Sequence, residues 1–114
     1  MFKLVVLTLV ASFVAVPSFA AEWSDYRKIQ AFGCHKTDGT CYMTLEGAPL
    51  TGAPGCSQTS VRWDVKNDPN GKTWLALVML AHATNGRIAV YVDGCYVNQP
   101  IYPTFTYGAI EGQS

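Results

Sequence analysis

Four cysteines, at positions 34, 41, 56 and 95, constrain this chain most, because the stretch ahead of them reads as an export signal. Lys3 gives a positive start, and Leu4 to Val16 run for about 13 residues without a charge. Pro17 then breaks the run, and Ser18-Phe19-Ala20 puts small residues at the two positions a signal peptidase inspects. The apolar run is short of the roughly 20 residues that a spanning helix needs. The expectation is a signal peptide over residues 1–20, cleaved after Ala20, and one periplasmic or secreted domain over residues 21–114, without membrane insertion. An even cysteine count in a short exported chain reads as a disulfide framework. Of the three possible connectivities, the reading favours Cys34 with Cys41 across a hairpin and Cys56 with Cys95 tying the middle loop to the last hairpin. A metal site would call for paired spacings such as C-x2-C. None occurs, so neither metal nor cofactor is expected.

Loss of Lys3 with the leader leaves seven basic against eight acidic residues. A net charge near −1 argues against nucleic acid, whose binding depends on phosphate neutralisation, and against a polybasic hold on anionic lipid.

Five strands and one helix can be read along the rest. Tyr26 to Phe32 has strand character and stops at Gly33. His35-Lys36-Thr37-Asp38-Gly39-Thr40 reads as a turn, and Cys41 to Glu46 returns with Cys41, Met43 and Leu45 on one face. Gly47 to Thr59, with three glycines and two prolines, is expected to be loop. Val61, Trp63 and Val65 alternate with Arg62, Asp64 and Lys66 as a half-buried third strand. Asp68 as N-cap and Pro69 as first helical residue start a helix that runs to about Thr84 and stops at Asn85-Gly86. Arg87 to Asp93 makes a fourth strand with Ile88, Val90 and Val92 inward. Gly94 to Pro100 turns the chain, and Ile101 to Ala109 is the fifth strand, its start marked as an edge by Pro100 and Pro103. The fold class expected is mainly β with one helix: a five-stranded OB-fold-like barrel in the order β-β-β-α-β-β.

The helix carries no wet side. At 100° per residue, Leu80, Leu77, Trp74, Val78, Leu75 and Met79 spread from about 80° to about 340° around its axis, measured from Lys72. The remaining sector holds Lys72, Ala76 and Ala83. A helix apolar all round is buried all round, so a partner surface is expected, most simply further copies of the chain meeting at Trp74, Leu77 and Leu80.

No catalytic constellation assembles. His35 sits in a polar turn and reads as a solvated histidine, and His82 reads as a hydrogen-bonded core or interface residue. Neither belongs to a nucleophile motif, and the eight carboxylates are scattered over separate elements. The chain is therefore read as non-catalytic. Aromatic residues are the more suggestive group: Trp23, Tyr26, Tyr42, Tyr91, Tyr96, Tyr102 and Tyr107 offer flat faces with a polar tip, suited to glycan or protein ligands. Tyr96, placed in the final hairpin loop, is the leading candidate for exposure.

Several segments carry a resemblance: Ala21-Glu22-Trp23 at the processed start, Ala83-Thr84-Asn85-Gly86 at the helix end, Arg87-Ile88-Ala89-Val90-Tyr91-Val92, and Tyr102-Pro103-Thr104-Phe105. With them the chain resembles the B subunits of subtilase-cytotoxin and pertussis-like toxins. It is also similar to a group of small exported bacterial proteins of unassigned function that share Val92-Asp93-Gly94-Cys95 and Tyr102-Pro103. The toxin resemblance implies an OB-fold, assembly into five-membered rings, recognition of host glycans and a catalytic A subunit as partner. That family's sialic-acid pocket uses a serine early in strand one and a tyrosine in strand four. Those positions fall near Asp25 and at Val92, with Ser24 and Tyr91 beside them, so Ser24, Asp25 and Tyr91 join Tyr96 as candidate ligand contacts. The family's paired cysteines near the C-terminus have no counterpart here. The alternative is a periplasmic or envelope structural protein that binds a protein partner and no glycan.

Overall fold

The computed structural model describes residues 21–111, and the leader expected over residues 1–20 lies outside them. The fold is mainly β with one helix. Its elements are β1 (Glu22–Trp23), β2 (Arg27–Cys34), β3 (Thr40–Leu45), β4 (Leu50–Ala53), β5 (Cys56–Gln58), β6 (Ser60–Asp64), α1 (Gly71–Ala83), β7 (Arg87–Tyr96) and β8 (Gln99–Glu111). Hydrogen-bonded neighbours run β7, β2, β3, β6, β8, and β8 pairs again with β7, so the circuit of five strands returns to its start. Every contact in it is antiparallel except β6 with β8, which is parallel at Arg62 and Thr104. β1 adds to β7 outside the circuit, and β4 and β5 form a separate hairpin.

Alternation decides what the circuit encloses. Cys41, Met43 and Leu45 from β3, Val61 and Trp63 from β6, and Ile88, Val90 and Val92 from β7 are all buried in one core, which Val78 and Ala81 of the helix close. Phe105 of β8 receives Trp63 and Trp74 edge-on, with ring centroids 5.5 Å and 5.3 Å away. The two bridges pair Cys34 with Cys41 and Cys56 with Cys95, leaving no free cysteine among the described residues. The first closes the turn between β2 and β3. The second fastens the β4–β5 hairpin to the far end of β7.

The structure departs from the sequence reading at several places. Gly47 to Thr59 is not all loop, since Leu50 and Cys56 are buried in a hairpin packed on β7 and β8. Gly52 serves close approach: a Cβ there would lie 2.1 Å from the carbonyl oxygen of Gly94, where only bare backbone fits. The helix starts at Gly71 rather than Pro69. Asp68 Oδ1 accepts the N–H of Asn70 and the Asp68 carbonyl accepts that of Gly71, which makes a turn ahead of the helix with Asn70 as N-cap. β7 continues beyond Asp93 to Tyr96, because Gly94 (φ 76°) takes up a bulge in the register instead of ending the strand. The turn shrinks to Val97-Asn98, and Pro103, expected at an open edge, is fully buried beside Gly52. Val65 lies just past the end of β6 and packs against the core from there.

The expected helix stop at Asn85-Gly86 has the form of a Schellman motif. Asn85 takes the positive φ (53°), the Gly86 N–H reaches the Ala81 carbonyl, and the Asn85 N–H reaches that of His82. On α1, Gly71, Val78 and Ala81 are buried, and Trp74 and Leu75 pack against the core. Met79 and Leu80 stay 50% and 56% exposed on the outer side, with exposed Ala76 and Ala83 beside them. The β4–β5 hairpin covers β7 and β8 and leaves this face open.

Candidate functional site

Tyr91 marks the site. Val90 and Val92 point into the core, so the strand period turns Tyr91 to the outer face of β7. Its register partner on one side is Trp23 of β1 and on the other Tyr107 of β8. The three rings form a cross-strand ladder. Trp23 and Tyr91 have centroids 5.3 Å apart at 56° between planes, and Tyr91 and Tyr107 lie 6.0 Å apart at 66°. Trp23 is 54% exposed and Tyr107 64%, with Tyr91 half-buried between them. Two interstrand spacings make the strip about 10 Å wide. Tilted rings with accessible faces and polar tips give an apolar ridge with hydrogen-bonding ends, and neighbouring rings support one another.

The sheet positions this ladder through Ser24 and Glu22. The Ser24 N–H donates to the Val90 carbonyl, its Oγ accepts the Val90 N–H at 2.9 Å, and its hydroxyl donates to the Asp25 carbonyl. These bonds lock the chain leaving β1 onto β7. Glu22 accepts the N–H of Thr51 and so links β1 to the β4–β5 hairpin.

The candidate residues therefore separate. Tyr91 belongs to the ladder. Ser24, weighed as a ligand contact, is buried with its hydroxyl engaged as donor and acceptor, so its place is structural. Asp25 is exposed, and Arg27 Nε donates to its Oδ1 at 2.7 Å. That hydrogen bond, with the charge behind it, holds the Asp25 carboxyl below the ordinary aspartate value. Tyr96 does not lie in an exposed loop. The bulge at Gly94 carries it into β7, where it is buried and its hydroxyl meets that of fully buried Thr40 at 2.8 Å. Among the residues expected at a subunit interface, Trp74 turns inward onto Phe105 and Gly108, Leu77 is half-buried, and only Leu80 stands out. His82 is exposed and meets Phe32 edge-on at 5.2 Å.

Sequence reasoning names Trp23 and Tyr107 only among seven aromatic residues and does not bring them together with Tyr91. A two-residue strand shows no alternation. The pairing of Tyr107 with Tyr91 depends on a register that shifts beyond Tyr91. Among the described residues no group of three or more His, Cys, Asp or Glu gathers as metal ligands would, and no helix is long and apolar enough to cross a membrane.

Set against protein-family models, curated proteins and solved structures, the chain matches none. The likeness to toxin B subunits thus stays with the sequence segments that carry it.

Proposed function

We propose that this chain is an exported, non-catalytic binding domain on an OB-type five-stranded barrel, which takes a glycan on the Trp23–Tyr91–Tyr107 ladder and associates with further copies of itself through the outer face of α1. The barrel reading is supported by the pairing circuit, by its one parallel contact between β6 and β8, and by a helix between the third and fourth strands of the circuit. Export is supported by two disulfides in so short a chain. The observation that carries the binding reading is the ladder itself. Three aromatic rings are held in register on an outer face where the core makes no use of them, and Trp23 and Tyr107 keep more than half their surface in water. A sugar ring, apolar on its C–H face and polar at its rim, complements such a strip.

A glycan array probed with the oxidised protein tests this. Binding to a defined set of glycans is expected, weakened roughly tenfold by Trp23→Ala or Tyr107→Ala, the loss of one aromatic contact. Circular dichroism should be unchanged, since both rings are exposed. Silence across the array, or binding indifferent to both substitutions, would overturn the glycan reading. The protein-partner alternative, which exposed Met79 and Leu80 favour, would then take its place.

A further inference from the structure

Arg62 has an environment that its place in the strand period does not explain. It sits on the outer face of β6, between buried Val61 and Trp63, yet only 9% of its surface is exposed. Tyr42, its partner on β3, and Tyr102, two residues before its partner on β8, close over it from both sides. The guanidinium carbon lies 3.8 Å from the centroid of the Tyr102 ring and 4.6 Å from that of Tyr42. Nε donates to Gln99 Oε1 at 2.7 Å, and one terminal nitrogen, Nη1, donates to Ser60 Oγ at 2.6 Å. Gln99 is held in turn by His35, 3.3 Å from its amide nitrogen.

Two things are missing from this cluster. Among the described residues no carboxylate lies within ion-pairing distance of Arg62. Among the described residues the second terminal nitrogen, Nη2, makes no hydrogen bond, yet no sealed side-chain nitrogen or oxygen of theirs is left without a partner, so Nη2 reaches solvent. A largely desolvated guanidinium is costly without a counter-charge. The two ring faces offset that cost in part, because a desolvated cation is attracted to the electron-rich face of an aromatic ring. None of the described residues uses the remaining edge. Ser60 accepts from Nη1, so its own hydroxyl hydrogen is free to donate next to that edge.

We propose that the Arg62 edge, with the Ser60 hydroxyl beside it, is a binding site for an oxyanion, the carboxylate or sulfate group of an acidic ligand. The tyrosine sandwich fixes the guanidinium plane, and Gln99 and Ser60 fix its rotation, so ordering the side chain costs little when the anion arrives. A planar, permanently charged donor is suited to such groups. The site stands apart from the aromatic ladder, since it is built on β3, β6 and the first residues of β8, and it neither needs nor implies glycan binding there.

The test is titration of the oxidised wild-type protein with sodium sulfate, acetate, glucuronate and uncharged glucose at constant ionic strength and millimolar concentration, following the Arg62 Nε–H resonance by NMR. Saturable shifts at Arg62 with the anions and none with glucose are expected. Glucuronate stronger than acetate would assign the natural ligand to acidic sugars, and sulfate stronger than both to sulfated ones. Followed at the backbone amides of residues 60–63, which the variants retain, the anion response should be about tenfold weaker in Arg62→Lys and absent in Arg62→Met, as hydrogen bonds to a charged group are lost. No saturable shift in the wild-type protein would overturn the proposal, and so would a response to glucose equal to that of glucuronate. A purely structural arginine would make Arg62→Met less stable while leaving the wild-type resonance unmoved by any of the four. The wild-type readout decides the matter even if the variant fails to fold.

Discussion

Asp64 closes β6 by accepting the backbone N–H groups of Lys66 and Asn67 and the side-chain amide of Asn67. Those bonds, the Asn67 N–H foremost, lower its pKa below the ordinary value of 3.8. Asp38 is lowered chiefly by the N–H of Thr40, and Asp25 by Arg27. A carboxyl that is more acidic in the folded state stabilises it above the unfolded value, and the contribution is lost as pH falls through the lower, folded one. Unfolding midpoints in urea should therefore hold steady from neutrality to about pH 5 and decline below about pH 4. Asp64→Asn should make the decline shallower, and an unchanged acid limb would count against this account. At this scale the sequence was uneven as a guide. The inward set Ile88, Val90 and Val92 was legible because strict alternation has one solution. Tyr96 was not, because whether Gly94 ends a strand or bulges within it depends on the partner strand, and Gly52 approaches it from far along the chain. Arg62 was placed on the correct face, but no local signal announces two tyrosines from other strands closing over it.

Among the elements, the two bridges differ most in what they restrain. Cys34 and Cys41 are seven residues apart, Cys56 and Cys95 thirty-nine. On the chain-entropy argument the short bridge stabilises by about 2.5 kcal/mol and the long one by about 4 kcal/mol. Replacing Cys56 and Cys95 together by alanine should lower stability in urea more than replacing Cys34 and Cys41. The reverse order would mean that the β4–β5 hairpin is held by its packing alone. Both pairings could be read from a turn flanked by cysteines and from the two thiols that remained. The hairpin itself was obscured, because the glycines and prolines of residues 47–59 usually mark a loop. Here Pro54-Gly55 makes a two-residue turn between short strands, and Gly52 allows close packing. The helix stop was clear in Asn85-Gly86. Its start was displaced by two residues because Asp68 completes a turn of its own before the helical bonds begin.

For the whole molecule, the proposed self-association has a direct consequence. Light scattering of the oxidised protein at micromolar concentration should give a multiple of the monomer mass, and Leu80→Glu should return it to monomer. A wild-type monomer would leave the exposed Met79 and Leu80 side chains without a copy to cover them. The apolar circumference of α1 was evident from its residues alone, and the structure sharpens it: Trp74 and Leu75 turn to the core, which narrows the open surface to Met79, Leu80 and their alanine neighbours. A single sequence carries no mark of what meets that surface, since apolar side chains against a core and against a partner look alike.

The double pairing of β8 also governs the order of events in time. β8 lies against β7 on one side and β6 on the other, with Thr104 bonded to Arg62 across 42 residues of chain. Until residues 99–111 are in place, β6 and β7 each present an open row of backbone donors and acceptors, the kind of edge on which chains aggregate. Long-range pairings of this sort belong to the millisecond-to-second regime of folding. Before that strand docks, the molecule is an open sheet with two adhesive rims, and β8 is the clasp.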